Sequence, residues 1–221
     1  MLKSIILTIA FVLGLGTTLR AKDRYYMFLF GAQSEPKTVR LSHTFAVFVK
    51  ASGTGVFPTD YRIETQTISW MPKSLAIQAL RQTPVDGVNL SLAETFKWTR
   101  SVGMTVTTWG PYRIQPELYA MAARQAKRLN EDPKGHIIFD GRYREDGSFN
   151  CIHALSDLDT TQSLLDTGTA YGNDGTLEVL SHFQRYIMSS QGATGWLVEQ
   201  IGLKRDDVRF ASAETTSVRS K

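Results

Sequence analysis

Runs of apolar residues predict three strands in the first third of the chain. Residues 25–30 are aromatic and apolar and end at Gly31, and residues 43–50 alternate between polar and apolar side chains. Residues 61–70 alternate again, after a loop that contains glycine and proline. Such runs between turn residues are typical of strands. In the second run, alternation places His43 on the face that carries the apolar side chains of positions 45, 47 and 49.

Helical spacing and helix-end signals predict the remaining elements. Ser91 and Glu94 have the spacing of a capping box, which predicts a helix that ends near residue 101. Asn150 can cap a short helix that begins at Cys151. The other predicted elements are strands at residues 104–109 and 135–139, a turn at Gly110 and Pro111, and helices at residues 117–129, 174–188 and 196–201. Together these elements predict an α+β fold, in which helices pack on an antiparallel sheet.

The first 21 residues have the pattern of a secretory signal peptide. Lys3 supplies the positive start, an apolar run covers residues 5–16, and Ala21 offers a cleavage site. The run is shorter than the about 20 apolar residues that a membrane span needs. Because Leu19 stands where a small residue is preferred, an uncleaved leader that attaches the protein to a membrane stays open. We expect an exported protein, periplasmic or secreted, with a signal peptide at 1–21, one domain at 22–211 and a disordered polar tail at 212–221.

Charge argues against a nucleic-acid partner. The chain has 25 basic and 21 acidic residues, a net charge of +4, and loss of Lys3 and Arg20 with the leader lowers this to +2. The basic residues are scattered, whereas binding to a phosphate backbone needs a basic cluster. No glycine-rich phosphate loop follows a predicted strand, so we expect no nucleotide or flavin cofactor.

Cys151 is the only cysteine of the chain. Outside the cytoplasm, a lone thiol forms no internal disulfide and is open to oxidation. It is therefore expected to be either a buried small hydrophobe or a nucleophile. At the first turn of a helix, unpaired backbone N–H groups and the helix dipole favour the thiolate. The same N–H groups could bind the oxyanion that forms when a thiolate attacks a carbonyl.

A nucleophilic thiol needs a base, and the chain has four histidines. His43 is the candidate, because a strand holds an imidazole rigidly enough to orient it. His153 lies two residues after Cys151, a spacing that points the side chains apart on a helix and suits a supporting residue. His136 and His182 stay open as weaker alternatives. A zinc site of His43, His153 and Cys151 lacks the paired spacing of zinc ligands, and we predict no metal.

The strand that opens with His43 and the later sequence Asn150-Cys151-Ile152-His153 resemble the permuted papain-like thiol enzymes. These are circularly permuted relatives of the NlpC-type cell-wall peptidases and include lecithin:retinol acyltransferase-like proteins. The chain is also similar to uncharacterised exported bacterial proteins. The resemblance implies that Cys151 is the nucleophile, that His43 is the base, and that a polar residue on the next strand orients the imidazole. Gln66 matches that position best, and Glu64 is the alternative.

The resemblance implies a cysteine hydrolase, such as a thiol protease or amidase, or an acyltransferase. Such an enzyme would act on an amide or ester through a thioester intermediate, with cell-wall peptides or lipid acyl groups as substrates. The alternative is a non-catalytic exported envelope or binding protein in which Cys151 is buried and inert. The reactivity of Cys151 in the folded protein separates the two hypotheses.

Overall fold

The computed structural model describes residues 22–53, 60–78, 83–132, 135–136, 148–162, 165–190 and 195–211. The predicted signal peptide, the predicted tail and most of the strand predicted at residues 135–139 lie outside these ranges, so those boundaries stay predictions. Within the described ranges, no helix is both long enough and apolar enough to cross a membrane.

Five strands come first along the described chain, and strands and helices are mixed after them. The strands are β1 (Lys22–Gln33), β2 (Ser42–Gly53), β3 (Arg62–Ile68), β4 (Trp70–Pro72), β5 (Val85–Asn89), β6 (Thr105–Ile114), β7 (Gly135–His136), β8 (Ile187–Ser190) and β9 (Arg209–Phe210). The helices are α1 (Leu92–Ser101), α2 (Pro116–Glu131), α3 (Cys151–Ser156), α4 (Asn173–His182) and α5 (Gly195–Gln200). The predicted α+β class is therefore confirmed.

The main sheet has the strand order β3-β2-β1-β6-β8, and β9 pairs with β6. Its centre is the antiparallel pair of β1 and β2, which runs in register from Lys22 opposite Gly53 to Gln33 opposite Ser42. A smaller sheet has the order β4-β5-β7. The prediction of an antiparallel sheet needs correction, because β9 runs parallel to β6 and makes the main sheet mixed.

The main sheet separates two hydrophobic clusters, one on each face. Strict alternation along β1 and β2 divides their apolar residues between the two faces. One cluster contains Leu29 and Phe48 and packs under α2, α3 and α4. The other contains Phe30 and Phe45, whose rings stack 4.7 Å apart, and packs under α1 and α5. A side chain on β2 therefore belongs to one cluster or the other according to whether its number is even or odd.

The run predicted as one strand at residues 61–70 is broken at Ser69. β3 ends at Ile68, and the backbone N–H of Ser69 donates to Asn89 Oδ1 at 2.8 Å instead of continuing the ladder with β2. Asn89 in turn donates to the carbonyl of Thr67 at 3.0 Å. The chain then joins the smaller sheet through β4, so none of the described strands pairs with the beginning of β2 on that edge. Helix α3 packs against this part of the fold.

Two other predictions change in the structure. The turn predicted at Gly110 and Pro111 lies inside β6, where Gly110 has a φ of 104° and the pairing with β1 shifts register. Such an irregularity lets a strand continue past a glycine and a proline. The helix predicted at residues 174–188 ends at His182, because Ile187 instead pairs with Ile114 and begins an edge strand.

Candidate active site

Cys151 occupies the first position of α3, and Asn150 caps that helix. The Asn150 backbone is extended, with φ −91° and ψ 179°, and its side-chain oxygen accepts the N–H of His153 at 2.8 Å. This is the geometry of a helix N-cap, so the capping prediction is confirmed. Cys151 is partly exposed and packs at the margin of the cluster under α2, α3 and α4. The cap therefore fixes the position of Cys151 at the start of α3.

Burial raises the pKa of the Cys151 thiol above its ordinary value. Hydrogen bonding from the backbone amides of Thr44, Cys151 and Ile152 opposes this rise but does not overcome it. The expectation that the helix start favours a thiolate at rest is therefore wrong, because desolvation outweighs the amides. At neutral pH the sulfur carries its proton. A nucleophilic role then requires a base that removes the proton as the sulfur reacts.

The His43 imidazole is held on all sides near the beginning of β2. Its Nε2 lies 2.9 Å from the hydroxyl oxygen of Ser69. The ring stacks on Phe45 with 5.4 Å between centroids and meets the edge of Trp98 at 5.7 Å. The residue is only 1% exposed, and Nδ1 has no hydrogen-bond partner among the residues that the structure describes. Burial, together with a smaller contribution from the nearby imidazole of His136, lowers the pKa of His43 to about 3.

Two adjacent residues of β2, His43 and Thr44, relate the imidazole to the thiol. The amide that bonds the Cys151 sulfur belongs to Thr44, the residue directly after His43. The His43 ring shares the face of Phe45, whereas Cys151 packs with the cluster of the opposite face. No hydrogen bond joins His43 Nδ1 to the sulfur in this structure. The fold thus brings the two residues to the same open edge of β2 without forming the predicted contact.

The structure does not bring Gln66 or Glu64 to His43. Gln66 lies opposite Phe48 in the β2–β3 register, on the other face of the sheet, and its side chain hydrogen-bonds Tyr119. Glu64 lies opposite Lys50, still farther along the strand from His43. Neither residue can orient the imidazole from there. The hydrogen bond to the imidazole is made by Ser69 instead.

The other three histidines have separate places. His153 is buried in α3, and its Nε2 lies 3.3 Å from the carbonyl oxygen of Leu165. His136 is buried in β7, which bridges to Phe149 two residues before Cys151. His182 lies at the end of α4, and hydrogen bonding to the backbone of Ser156 opposes the lowering of its pKa by burial. Over the ranges that the structure describes, no group of three or more His, Cys, Asp or Glu side chains could hold a metal ion.

Sequence reasoning missed Ser69 and Thr95. The hydroxyl of Thr95, on α1, lies 2.8 Å from that of Ser69, so the contact to His43 continues into the helix. Alternation does put Ser69 on the face opposite Gln66, but the pairing register that sets this face beside His43 depends on how β2 and β3 are joined. The capping-box pattern predicted where α1 begins. It did not predict that Thr95 lies on the buried side of that helix.

Comparison with known proteins supplies no relative: no protein-family model, curated protein or solved structure matches this chain. The likeness to permuted papain-like thiol enzymes therefore stays a prediction from the residues around His43 and Cys151. What the chain does must be argued from the geometry of this edge of the sheet.

Proposed function

We propose that the protein is an exported cysteine-dependent hydrolase or acyltransferase that cleaves an amide or ester through a thioester on Cys151. One observation carries the proposal. The backbone amide of Thr44, directly after His43, lowers the pKa of Cys151 by hydrogen bonding, while His43 Nε2 lies 2.9 Å from Ser69 Oγ and Nδ1 has no partner among the described residues. A buried ring nitrogen with no partner is costly to the fold, which makes it a candidate for a functional role.

The proposed reaction begins with a neutral thiol and a neutral imidazole. Because burial raises the pKa of Cys151 and lowers that of His43, a resting thiolate–imidazolium pair is unfavourable. The proton therefore moves to His43 Nδ1 as the sulfur forms its bond to the substrate carbonyl carbon. Because the two side chains belong to opposite faces of the sheet at the start of β2, the proposed reaction requires substrate binding to shift this segment until Nδ1 and the thiol meet.

The backbone amides at the start of α3 would stabilise the oxyanion of the tetrahedral intermediate. When the intermediate collapses, the bond from the carbonyl carbon to the leaving nitrogen or oxygen breaks, and that atom takes the proton from His43 Nδ1. Water or another acceptor then gives its proton to Nδ1 and attacks the thioester. Collapse of the second intermediate returns that proton to Cys151, so each cycle ends with the starting thiol.

The proposal includes a permuted papain-like arrangement and an exported location. The chain order supports the first, since the histidine strand precedes the helix that begins with the cysteine. The apolar leader with Lys3 supports the second. Cell-wall peptides and lipid acyl groups are the substrate classes that this location offers.

Acylation of the full chain by p-nitrophenyl acetate tests the proposal. Intact mass should rise by one acetyl group on Cys151, and hydroxylamine should remove it. Cys151→Ser and His43→Gln should abolish the modification, while His182→Gln, a matched change at a histidine away from the site, should leave it unchanged. Release of acetate in water indicates hydrolysis, whereas acetylation of an added amine or alcohol indicates acyl transfer.

A second candidate, a non-catalytic envelope or binding protein, is favoured by the burial that raises the pKa of the thiol. In that case Cys151 resists acylation in the folded protein and reacts only after denaturation. The same rate of acetylation in His43→Gln as in the native chain would also exclude the proposed mechanism.

A further inference from the structure

The backbone amide of Thr44 is available to the Cys151 sulfur because β3 ends early. The β2–β3 ladder ends at the pair of Ala46 and Ile68, so none of the described strands continues beside Thr44 on that edge. A backbone N–H at such an edge needs a partner from elsewhere in the fold. The sulfur takes that place, since hydrogen bonding from the Thr44 amide lowers the pKa of Cys151 against the effect of burial.

The side chain of Thr44 is held by helix α4. Its hydroxyl oxygen lies 3.0 Å from that of Thr176. The Thr176 hydroxyl also lies 2.9 Å from the carbonyl oxygen of Gly172 and 3.4 Å from that of Phe30. Both threonines are buried, and a buried hydroxyl is costly unless it is hydrogen-bonded. The hydroxyl pair therefore joins α4 to the residue whose amide reaches the sulfur.

Helix α4 packs too closely on β1 and α3 to shift easily. A methyl group added at Gly31, on β1, would lie 2.9 Å from Thr176 Oγ1. One added at Gly175, on α4 itself, would lie 2.7 Å from Ile152 Cδ1 on α3. Neither gap has room for a further carbon atom, so the helix lies directly against both elements. Thr176 is therefore a fixed anchor for Thr44.

We propose that Thr176 is a positioning residue, which holds the backbone N–H of Thr44 against the Cys151 sulfur through the hydroxyl of Thr44. The amide then stabilises the negative charge that forms on the sulfur when the proton leaves. That this charge serves catalysis rests on the proposed function, whereas the contact is a property of the fold and can be measured without any activity. Whichever hydroxyl donates, a valine at either threonine removes the bond between them.

The pKa of Cys151 reports this contact directly. Among the described residues, burial and backbone amides cause its shift, and no charged side chain contributes. Because Cys151 is the only cysteine, [¹³Cβ]cysteine labelling of the full chain gives one NMR signal that follows the thiol through its titration. In Thr176→Val the amide should move away from the sulfur, so the pKa of Cys151 should rise above its value in the native chain. Thr176→Ser, which keeps the hydroxyl, should keep the native pKa.

Three further variants separate positioning from a general loss of packing. Thr44→Val should raise the pKa of Cys151 as Thr176→Val does, and the double variant should raise it no further, because the two residues act through one bond. Thr99→Val is the matched control, since Thr99 is equally buried, on α1, and its hydroxyl donates to the carbonyl of Phe96 at 3.0 Å. It should leave the pKa of Cys151 unchanged. If Thr176→Val does not fold, Thr44→Val tests the same bond from the strand.

The rate at which p-nitrophenyl acetate acetylates Cys151 gives the second measurement. We expect Thr176→Val to lower this rate roughly fivefold, the factor that corresponds to one ordinary hydrogen bond. Thr99→Val should keep the native rate.

A pKa of Cys151 that both valine variants leave unchanged, or shifts that add in the double variant, overturns the inference. Acetylation of the native chain would then still support the proposed function. A raised pKa in a protein that is never acetylated supports the inference and overturns only the proposed function.

Discussion

Replacing His43 by glutamine should make the protein less sensitive to acid. The imidazole is 1% exposed, and burial lowers its pKa from 6.5 to about 3. In an unfolded chain the same group takes up a proton near its ordinary pKa. The neutral ring thus contributes stability that is fully present above pH 6.5 and is lost as the pH falls towards 3. Glutamine keeps a polar group for Ser69 and does not titrate.

The size of the effect follows from the two pKa values. Linkage gives a loss of about 2 kcal/mol from His43 between pH 7 and pH 5, and of about 3 kcal/mol by pH 4. His136, whose pKa burial lowers to about 4, adds a loss of about 2 kcal/mol at pH 5. The native chain should therefore lose about 4 kcal/mol from the two histidines at pH 5. The variant should lose only the part that belongs to His136.

Urea unfolding of the full chain, followed by tryptophan fluorescence at pH 7, 6 and 5, measures these losses. Phe45→Leu is the control, because Phe45 stacks on the His43 ring and has no proton to exchange. At every pH, the free energy of unfolding of Phe45→Leu should lie about 1 kcal/mol below that of the native chain. If His43→Gln loses stability between pH 7 and pH 5 as steeply as the native chain, then His43 is protonated or solvated in the folded protein. The description of a neutral, buried base is then wrong.

Three other changes test local features. Asn150→Ala removes the cap of α3, and we expect it to cost about 1 kcal/mol in urea unfolding and to slow acetylation of Cys151; unchanged values would show that the cap does not position the thiol. Gly87→Ala would set a methyl group 1.9 Å from the Trp70 ring, so it should cost about 2 to 3 kcal/mol, and a neutral effect would refute that contact. Asp159→Ala removes a fully buried carboxylate that accepts the Tyr186 hydroxyl at 2.7 Å; we expect a loss of about 3 kcal/mol, measured as a lower urea midpoint.

Patterns within a few residues predicted the local structure well. The alternation of β2, the capping box of α1 and the Asn150 cap of α3 each depend on neighbours in sequence, and each is present in the structure. The predicted third strand is different, because residues 61–70 keep one alternation while the chain changes sheets at Ser69. The competing hydrogen bond comes from Asn89, which is distant in sequence, so the local pattern could not indicate the break.

The positions of two candidate site residues on their elements could be predicted for the same reason, whereas their catalytic roles stay predictions. Cys151 at a helix start and His43 on a strand are local features, and the fold brings both to one edge of β2. The partner of the imidazole depends on how the chain leaves β3 at Ser69 and on the register of β3 with β2, which places Gln66 on the other face beside Tyr119. The pKa of the thiol depends on how deeply α3 packs. No spacing along the chain reports that depth.

Desolvation acts in opposite directions on the two groups at this edge, and together the shifts define how the site can work. A raised thiol pKa and a lowered imidazole pKa both favour the uncharged pair, so no reactive thiolate stands exposed between reactions. If the chain is exported as proposed, its single cysteine gains protection from oxidation in this way, because the thiolate is the form that oxidises. In the proposed mechanism, the backbone amides of Cys151 and Ile152 would stabilise a charge that appears only when substrate is present. Burial thus argues against a thiolate in the free protein. It fits a thiol that loses its proton only while it attacks the substrate.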